Sequence, residues 1–212
     1  MTGILDSPYG PVELSACIDP AMLVRFEPDQ GLRAFRPAGL QLAALSEIAR
    51  LPGGCVATAT IAHRLVGYAA FHPPDPIERW SGSRVPGIIE LGAVETSAAH
   101  RGRHLARRLL ETTVNTGRFD EGILIATLYH WHYDLEGAGM STYAYRRLLE
   151  RLYGSVGLVV VDTDDPEIKP YPGNSLMARV GPRAPIELRA EFDRLRFLDT
   201  PAAPNAGGAA AT

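Results

Sequence analysis

Apolar residues recur along the chain in two patterns, short continuous runs and stripes with helical spacing. Runs of about four to eight apolar residues bounded by Gly or Pro predict strands, and apolar residues three or four positions apart predict amphipathic helices. The predicted strands cover residues 12–18, 55–62, 65–71, 88–95, 122–129, 157–161 and 174–180. The predicted helices cover residues 20–26, 38–51, 105–111, 142–153 and 185–197. Residues 1–11 are polar and turn-rich, and no strand is predicted there.

The order of these elements predicts an α/β fold. Strands precede, alternate with and follow helices, and the two strands between residues 55 and 71 form a hairpin. This order predicts one central mixed, mostly antiparallel sheet that is flanked by helices. With 212 residues, 46% of them hydrophobic, the chain fits one domain, predicted over residues 1–199. Residues 200–212 are rich in Ala, Pro and Gly and are predicted to be a disordered tail.

Net charge, apolar runs and cysteine content bear on the possible partners of the protein and on its cellular compartment. A net charge of −3 gives no general attraction to nucleic acid or to an anionic membrane, so we expect neither as a partner. No apolar run reaches the roughly 20 residues of a membrane span, and no secretory leader is expected. We expect a cytoplasmic protein in which Cys17 and Cys55 are both reduced, because disulfides are rare in that compartment.

Residues 88–111 predict a strand, a short turn and a helix that opens on Arg101-Gly102-Arg103. A glycine-containing turn before a helix directs unpaired backbone N–H groups and the positive end of the helix dipole towards one point. Such a point binds phosphate, and arginines can add further contacts. The segment therefore predicts a pyrophosphate site.

This segment resembles a motif of the GNAT superfamily of N-acetyltransferases, Arg/Gln-x-x-Gly-x-Gly/Ala. The matching residues are Arg101, Gly102, Arg103, His104, Leu105 and Ala106. The first and last positions agree, and His104 stands where the motif has its central glycine. A histidine can adopt right-handed helical angles, so we expect the backbone cradle to survive with an imidazole ring near the phosphates.

Further segments resemble one branch of that superfamily, the AcuA-type acetoin-utilisation acetyltransferases. They include LRAFRP at 32–37, DPIERW at 75–80, IELGAVE at 89–95, YHWHYDLEG at 129–137, YRRLLE at 145–150 and NSLMARVG at 174–181, in this order. The resemblance implies a GNAT fold, acetyl-CoA as donor and a protein lysine as acceptor, with acetyl-CoA synthetase as the family's target. It also implies that backbone groups of Ala93, Val94 and Glu95 pair with the pantetheine arm and that residues 101–106 face the pyrophosphate.

Acetyl transfer to an amine requires a proton acceptor and a proton donor. Glu90 and Glu95 are the candidate bases. They are five residues apart, so a regular strand would direct them to opposite faces, and we favour Glu90 because apolar neighbours should desolvate it. The resemblance implies a tyrosine as general acid. Tyr153 fits the family's spacing to a following glycine, and Tyr145 is the alternative.

Aromatic and imidazole side chains are candidates for the acceptor channel. His132 and Trp131 follow a predicted strand, with His130 and His132 on one face of it, and Trp80 lies in a long loop. We expect these residues to flank an open groove. We predict no metal site, since no third ligand accompanies the His-x-His pair. Two other functions stay open, a small-molecule amine N-acetyltransferase and a non-catalytic acetyl-CoA-sensing module.

Overall fold

The computed structural model describes residues 2–198, and the predicted tail at residues 200–212 lies outside this range. Within it, nine strands form one sheet in the order β1-β2-β4-β5-β6-β7-β9-β8, and β3 pairs with β5 beside this path. The strands are β1 Thr2–Leu5, β2 Val12–Ser15, β3 Glu27–Pro28, β4 Cys55–Ile61, β5 Arg64–His72, β6 Ile88–Thr96, β7 Ile123–Leu128, β8 Val159–Val161 and β9 Ser175–Val180. The helices are α1 Pro20–Leu23, α2 Ala38–Arg50, α3 Leu105–Val114, α4 Leu135–Ala138, α5 Thr142–Gly154 and α6 Ile186–Arg196.

The prediction of a mixed, mostly antiparallel sheet is confirmed. Parallel pairing occurs between β3 and β5 and between β6 and β7, and the other strand pairs are antiparallel. The predicted helix starts are also confirmed. The Asp19 carboxylate accepts a hydrogen bond of 2.7 Å from the Ala21 amide, and the Ser141 hydroxyl accepts one from the Ala144 amide. These side chains satisfy amide groups that the first helical turn leaves unpaired.

The helices cover both faces of the sheet. On one face, Leu109 of α3 and Tyr153 of α5 join a core that includes Leu124 of β7. On the other face, Leu45 of α2 packs near β4 and β5, and α6 packs against Ile125 of β7. Consecutive β7 residues thus serve opposite cores, which explains why this strand is apolar along its whole length.

The N-terminal strand β1 was not predicted. It runs antiparallel to β2, with Leu5 opposite Val12 and Thr2 opposite Ser15. Its side chains alternate between exposed and half-buried positions at the edge of the sheet, so its sequence has no apolar run that would mark it. Pairing with β2, rather than local propensity, orders this segment.

The expectation of two reduced cysteines is wrong, because Cys17 and Cys55 form a disulfide. The antiparallel pairing of β2 with β4 brings the chain just after β2 beside the start of β4, and the two Cα atoms are 5.2 Å apart. Their separation of 38 residues in the sequence conceals this proximity. No helix within residues 2–198 has the length and apolar character needed to cross a membrane.

Candidate active site

The sheet splits open between β6 and β7. Three residue pairs join these parallel strands, Ile88 to Ile123, Ile89 to Leu124 and Glu90 to Ile125. Beyond Glu90, β6 continues to Thr96 without a further pair to β7 in the described part of the chain. The remaining length of each strand borders a cleft, and along it β6 has no strand partner on the β7 side among the described residues.

A β-bulge at Gly92 changes which way the two candidate bases face. Ala93 pairs with Ala70 and Leu91 pairs with Phe71, so Gly92 is an extra residue without a partner on β5. One extra residue shifts the alternation of side chains by one position. Glu90 and Glu95 therefore share one face of the sheet, and the expectation of opposite faces is wrong.

The packing around the bulge also explains why position 92 is a glycine. A Cβ atom at position 92 would overlap the imidazole ring of His72, the residue paired with Glu90. The His72 ring is fixed in turn, because its Nδ1 lies 2.7 Å from the Pro73 carbonyl oxygen, which can only accept a hydrogen bond. Gly92 thus permits the close approach of the His72 ring to β6 near the closed end of the cleft.

Glu95 holds a neighbouring loop in place. One carboxylate oxygen accepts a 2.6 Å hydrogen bond from the Tyr68 hydroxyl, and the other accepts a 2.7 Å bond from the Ala34 amide. The side chain is 4% exposed. Burial and the bond to Glu95 raise the pKa of Tyr68 well above its usual value. With both oxygens engaged, Glu95 ties residues 31–36, called the rim loop below, to β6.

Glu90 lies at the closed end of the cleft, where the two strands separate. Glu90 is 5% exposed, and the Thr127 hydroxyl of β7 donates a hydrogen bond to the Glu90 carboxylate. Burial raises the pKa of Glu78, in the loop between β5 and β6, to about 8, and the nearby charge of Glu90 adds to this shift. In the sequence Glu78 is one residue of the DPIERW segment, and no local signal marks it as a neighbour of Glu90.

Tyr153 and Tyr145 project from α5 towards the same region. Burial raises the pKa of Tyr153 well above its usual value, and the nearby Tyr145, Tyr133 and Glu90 add to this shift. A phenol in this state keeps its proton and can donate it. Tyr145 is half-buried and stacks on Tyr133 with ring centroids 4.9 Å apart, and burial raises its pKa as well. Both candidate acids thus lie near Glu90 or the adjoining wall.

The turn before α3 has left-handed backbone at two positions. Gly102 has φ +75° and His104 has φ +57°, so the expectation of right-handed angles for His104 is wrong. His104 is the N-cap of α3 and makes no side-chain capping hydrogen bond. The first backbone N–H groups of α3, including those of Leu105 and Ala106, have no acceptor within the helix. Amides in this position are the kind of group that can hold an anion, and the amides at the start of α3 are called the cradle below.

Arginines surround the cradle, and several already have partners. Arg101 forms a 3.0 Å ion pair with Asp134 across the cleft mouth. The Arg103 guanidinium lies over the Tyr9 ring at 4.9 Å. Arg107 pairs with Glu111 on the exposed face of α3. The cradle therefore combines free amides with cations that local carboxylates and rings orient.

A cavity of about 930 Å³ adjoins the cleft. Its wall includes Arg33, Phe35, Arg36, Arg101, Trp131, His132 and Glu136. Trp131 is 50% exposed and stacks on Tyr129 with ring centroids 4.7 Å apart. The structure thus places Trp131 and His132 together with the rim loop at an open pocket.

Two expectations about the acceptor channel are wrong. Residues His130–His132 form a short 3₁₀ turn rather than a strand, and the His130 ring is held by Asn174 at 2.8 Å. Trp80 is 1% exposed and packs against Phe192 of α6, so it does not flank the groove. Its neighbour Arg79 points inwards to acidic residues before β9. Within residues 2–198, no cluster of three or more His, Cys, Asp or Glu side chains could hold a metal ion.

Comparison with known proteins gives consistent matches. Residues 23–132 match the model of the acetyltransferase (GNAT) family. The acetoin utilization protein AcuA of Bacillus licheniformis is 40% identical over 193 residues, which cover 91% of this chain and 92% of that protein. The Bacillus subtilis protein of the same name is 38% identical over 89% of this chain and 90% of its own length. The crystal structure of an acetoin utilization protein from Exiguobacterium sibiricum is 39% identical, covers 93% of this chain and 94% of its own, and superposes with a TM-score of 0.89.

Proposed function

The chain belongs to the GNAT family of acetyltransferases, and from this premise we propose that it transfers the acetyl group of acetyl-CoA to the side-chain amine of a protein lysine. The observation that carries the proposal is the cleft between β6 and β7, which has Glu90 at its closed end and the amide cradle of α3 at the end of β6. An acetyl donor and an amine need such a cleft, because correct positioning supplies much of the rate enhancement.

The residues present fit acetyl-CoA. The pyrophosphate would accept hydrogen bonds from the first amides of α3, with Arg101 and Arg103 beside them. The pantetheine arm would lie along β6, where Ala93, Val94 and Glu95 have backbone groups beyond the last pair with β7. This arrangement would bring the thioester near the bulge at Gly92.

The proton steps can be assigned to Glu90 and one tyrosine. The incoming ammonium group gives one proton to Glu90, and the resulting neutral amine attacks the thioester carbonyl carbon. A C–N bond forms, the C–S bond breaks, and the leaving sulfur takes a proton from the phenol of Tyr153, or of Tyr145 as the alternative. The second proton of the amine nitrogen restores the phenol, and Glu90 releases its proton to solvent. We favour Glu90 over Glu95 as base, because two hydrogen bonds already engage the Glu95 carboxylate.

We propose that the acceptor is acetyl-CoA synthetase, in the control of acetoin and acetate metabolism. The relatives named for acetoin utilization support this choice, since they align over about nine-tenths of the chain. The open pocket with the exposed Trp131 and Phe35 on its wall also favours a protein acceptor over a small amine. Aromatic and arginine side chains are the residue types that anchor protein interfaces.

The test is to incubate the protein with acetyl-CoA and an acetyl-CoA synthetase and to measure lysine acetylation by mass spectrometry. Glu90→Gln should reduce the rate by about 10²–10⁴-fold, the range typical of a general base. Glu121→Gln is the matched control, because this carboxylate is 78% exposed. If the synthetase stays unmodified while small amines are acetylated, the small-molecule function replaces the proposal. If acetyl-CoA binds and nothing is acetylated, the chain is a sensor.

A further inference from the structure

Glu90 has a hydrogen-bond donor on the neighbouring strand, the Thr127 hydroxyl, and the reaction steps above give this hydroxyl no role. It donates to Oε1 of the Glu90 carboxylate. In the described part of the chain, no amide or other hydroxyl group donates to the second oxygen of this carboxylate, Oε2. The two oxygens of the candidate base thus differ, because one is engaged by β7 and the other is left to accept a proton.

Thr127 lies just past the point where β6 and β7 separate. The last pair between these strands joins Glu90 to Ile125, and Thr127 follows Ile125 two residues later on β7. Side chains two residues apart on a strand share one face of the sheet. The bond from Thr127 to Glu90 therefore crosses the closed end of the cleft, one step beyond the last backbone pair of the two strands.

The position of the Thr127 hydroxyl is set by contacts that do not involve Glu90. Thr127 pairs with Leu176 of β9 and belongs to the paired length of β7 that runs from Ile123 to Leu128. Threonine carries two heavy atoms on Cβ, which restricts the rotation of its side chain in a strand. The sheet thus presents a donor of fixed direction to the Glu90 carboxylate.

Several titratable groups surround Glu90, and they come from different elements. They are His72 on β5, Glu78 in the loop between β5 and β6, Tyr129 after β7 and Tyr153 on α5, while Asp75 and Asp165 act on Glu78. Burial raises the pKa of Glu78, Tyr129 and Tyr153, and the charge of Glu90 adds to each shift. The Thr127 hydroxyl does not titrate, so it can donate to Glu90 at every pH at which transfer is measured.

We propose that Thr127 is a positioning residue for Glu90: its hydroxyl holds Oε1, keeps the carboxylate turned towards the cleft and leaves Oε2 to take the proton of the acceptor ammonium. The inference rests on the proposed acetyl transfer. In that step one N–H bond of the ammonium breaks, the proton bonds to Oε2, and the electron pair stays on nitrogen for the attack on the thioester. Thr127 keeps its own proton throughout. The negative charge of Glu90 returns when Oε2 releases the proton to solvent.

The test is a double-mutant cycle on lysine acetylation, with Thr127→Val and Glu90→Gln made singly and together. Valine has nearly the shape of threonine but no donor, so Thr127→Val should lower kcat by about tenfold or more. Thr127→Ala also lacks the donor and should behave alike, whereas Thr127→Ser retains it and should keep kcat within about threefold. In the Glu90→Gln protein no carboxylate is left to position, so adding Thr127→Val should change the rate by less than about twofold. An equal loss in both backgrounds would overturn the proposal, because a merely structural role does not depend on Glu90.

Thr113→Val is the matched control, because it also removes a buried hydroxyl, which donates to the Leu109 carbonyl oxygen at 2.9 Å within α3. This variant should leave kcat unchanged. Carboxyl ¹³C NMR gives a second readout, which needs no turnover. The resonance that Glu90→Gln removes should titrate about one pH unit higher in Thr127→Val and return to its original position in Thr127→Ser. An unshifted titration in Thr127→Val would overturn the proposal. If the unaltered protein acetylates no lysine, the proposed function fails, and this titration alone decides whether Thr127 controls Glu90.

Discussion

Replacing His104 with glycine should stabilise the protein. His104 has φ +57°, and its side chain is exposed and has no capping role, so the substitution acts on the backbone alone. A left-handed conformation costs a residue with a Cβ atom about 1–2 kcal/mol. Glycine removes that cost but adds freedom to the unfolded chain, which offsets about 0.4–1 kcal/mol. We expect a net gain of about 0.5–1 kcal/mol, or a rise in melting temperature of about 1–4 °C for a chain of this size.

Gly102 supplies a control of opposite sign. It has φ +75°, and an added Cβ would meet no atom within 4 Å, so Gly102→Ala introduces backbone strain without a clash. The midpoint of urea unfolding should rise for His104→Gly, fall for Gly102→Ala and change little for His104→Ala. A fall in the midpoint for His104→Gly, or an equal rise for His104→Ala, would refute the reasoning. Acetyl-CoA affinity, measured in parallel, reports whether the cradle keeps its shape.

Three further predictions concern stability. Arg79→Met deprives the buried Asp164 and Asp165 of this guanidinium and should cost about 3–5 kcal/mol in urea unfolding, and a loss below about 1 kcal/mol would contradict a buried pair. Reducing the disulfide removes a link between residues 38 positions apart and should lower the free energy of unfolding by about 3–4 kcal/mol. Equal unfolding midpoints with and without reductant would contradict this. Burial raises the pKa of Glu78 from 4.5 to about 8, so the folded chain binds this proton more tightly than the unfolded chain. This contribution to the free energy of unfolding is complete below pH 4.5 and is lost as the pH rises through 8. After a discount for solvent screening it amounts to about 1–2 kcal/mol, and Glu78→Gln should abolish it. A pH profile of unfolding that stays the same in Glu78→Gln would refute this.

The fold was largely predictable because its signals are local. The helical spacing of leucines in α2 and α3 and the apolar runs of β4, β5 and β7 each depend on a few neighbouring residues. The assignment of Glu90 and Tyr153 as base and acid stays a prediction, and the charge of Glu90 adds slightly to the raised pKa of Tyr153. The residues of the cradle follow β6 directly in the sequence, so their place at its end could be anticipated.

The remaining features depend on contacts between distant residues. The bulge residue Gly92 moves the side chains of the rest of β6 to the opposite face of the sheet, and only the pairing with β5 reveals it. The disulfide arises from the pairing of β2 with β4. The loop that carries Glu78 is anchored through Arg79 by Asp164 and Leu195, which are distant from it in the sequence. Periodicity within a window of sequence carries none of this information.

The three-pair junction of β6 and β7 also has a consequence for how the molecule is built. On one side of the junction lie β1, β2, β4, β5 and β6, in the order in which they leave the ribosome. Each of these strands after β1 pairs with an earlier one, so this half-sheet can assemble while the rest of the chain is being made. Within residues 2–198, strand pairing joins β7, β9 and β8 to this half-sheet only through Ile88–Glu90 and Ile123–Ile125. The order of synthesis therefore predicts that the cleft forms only when the strands made later dock on the half-sheet made first.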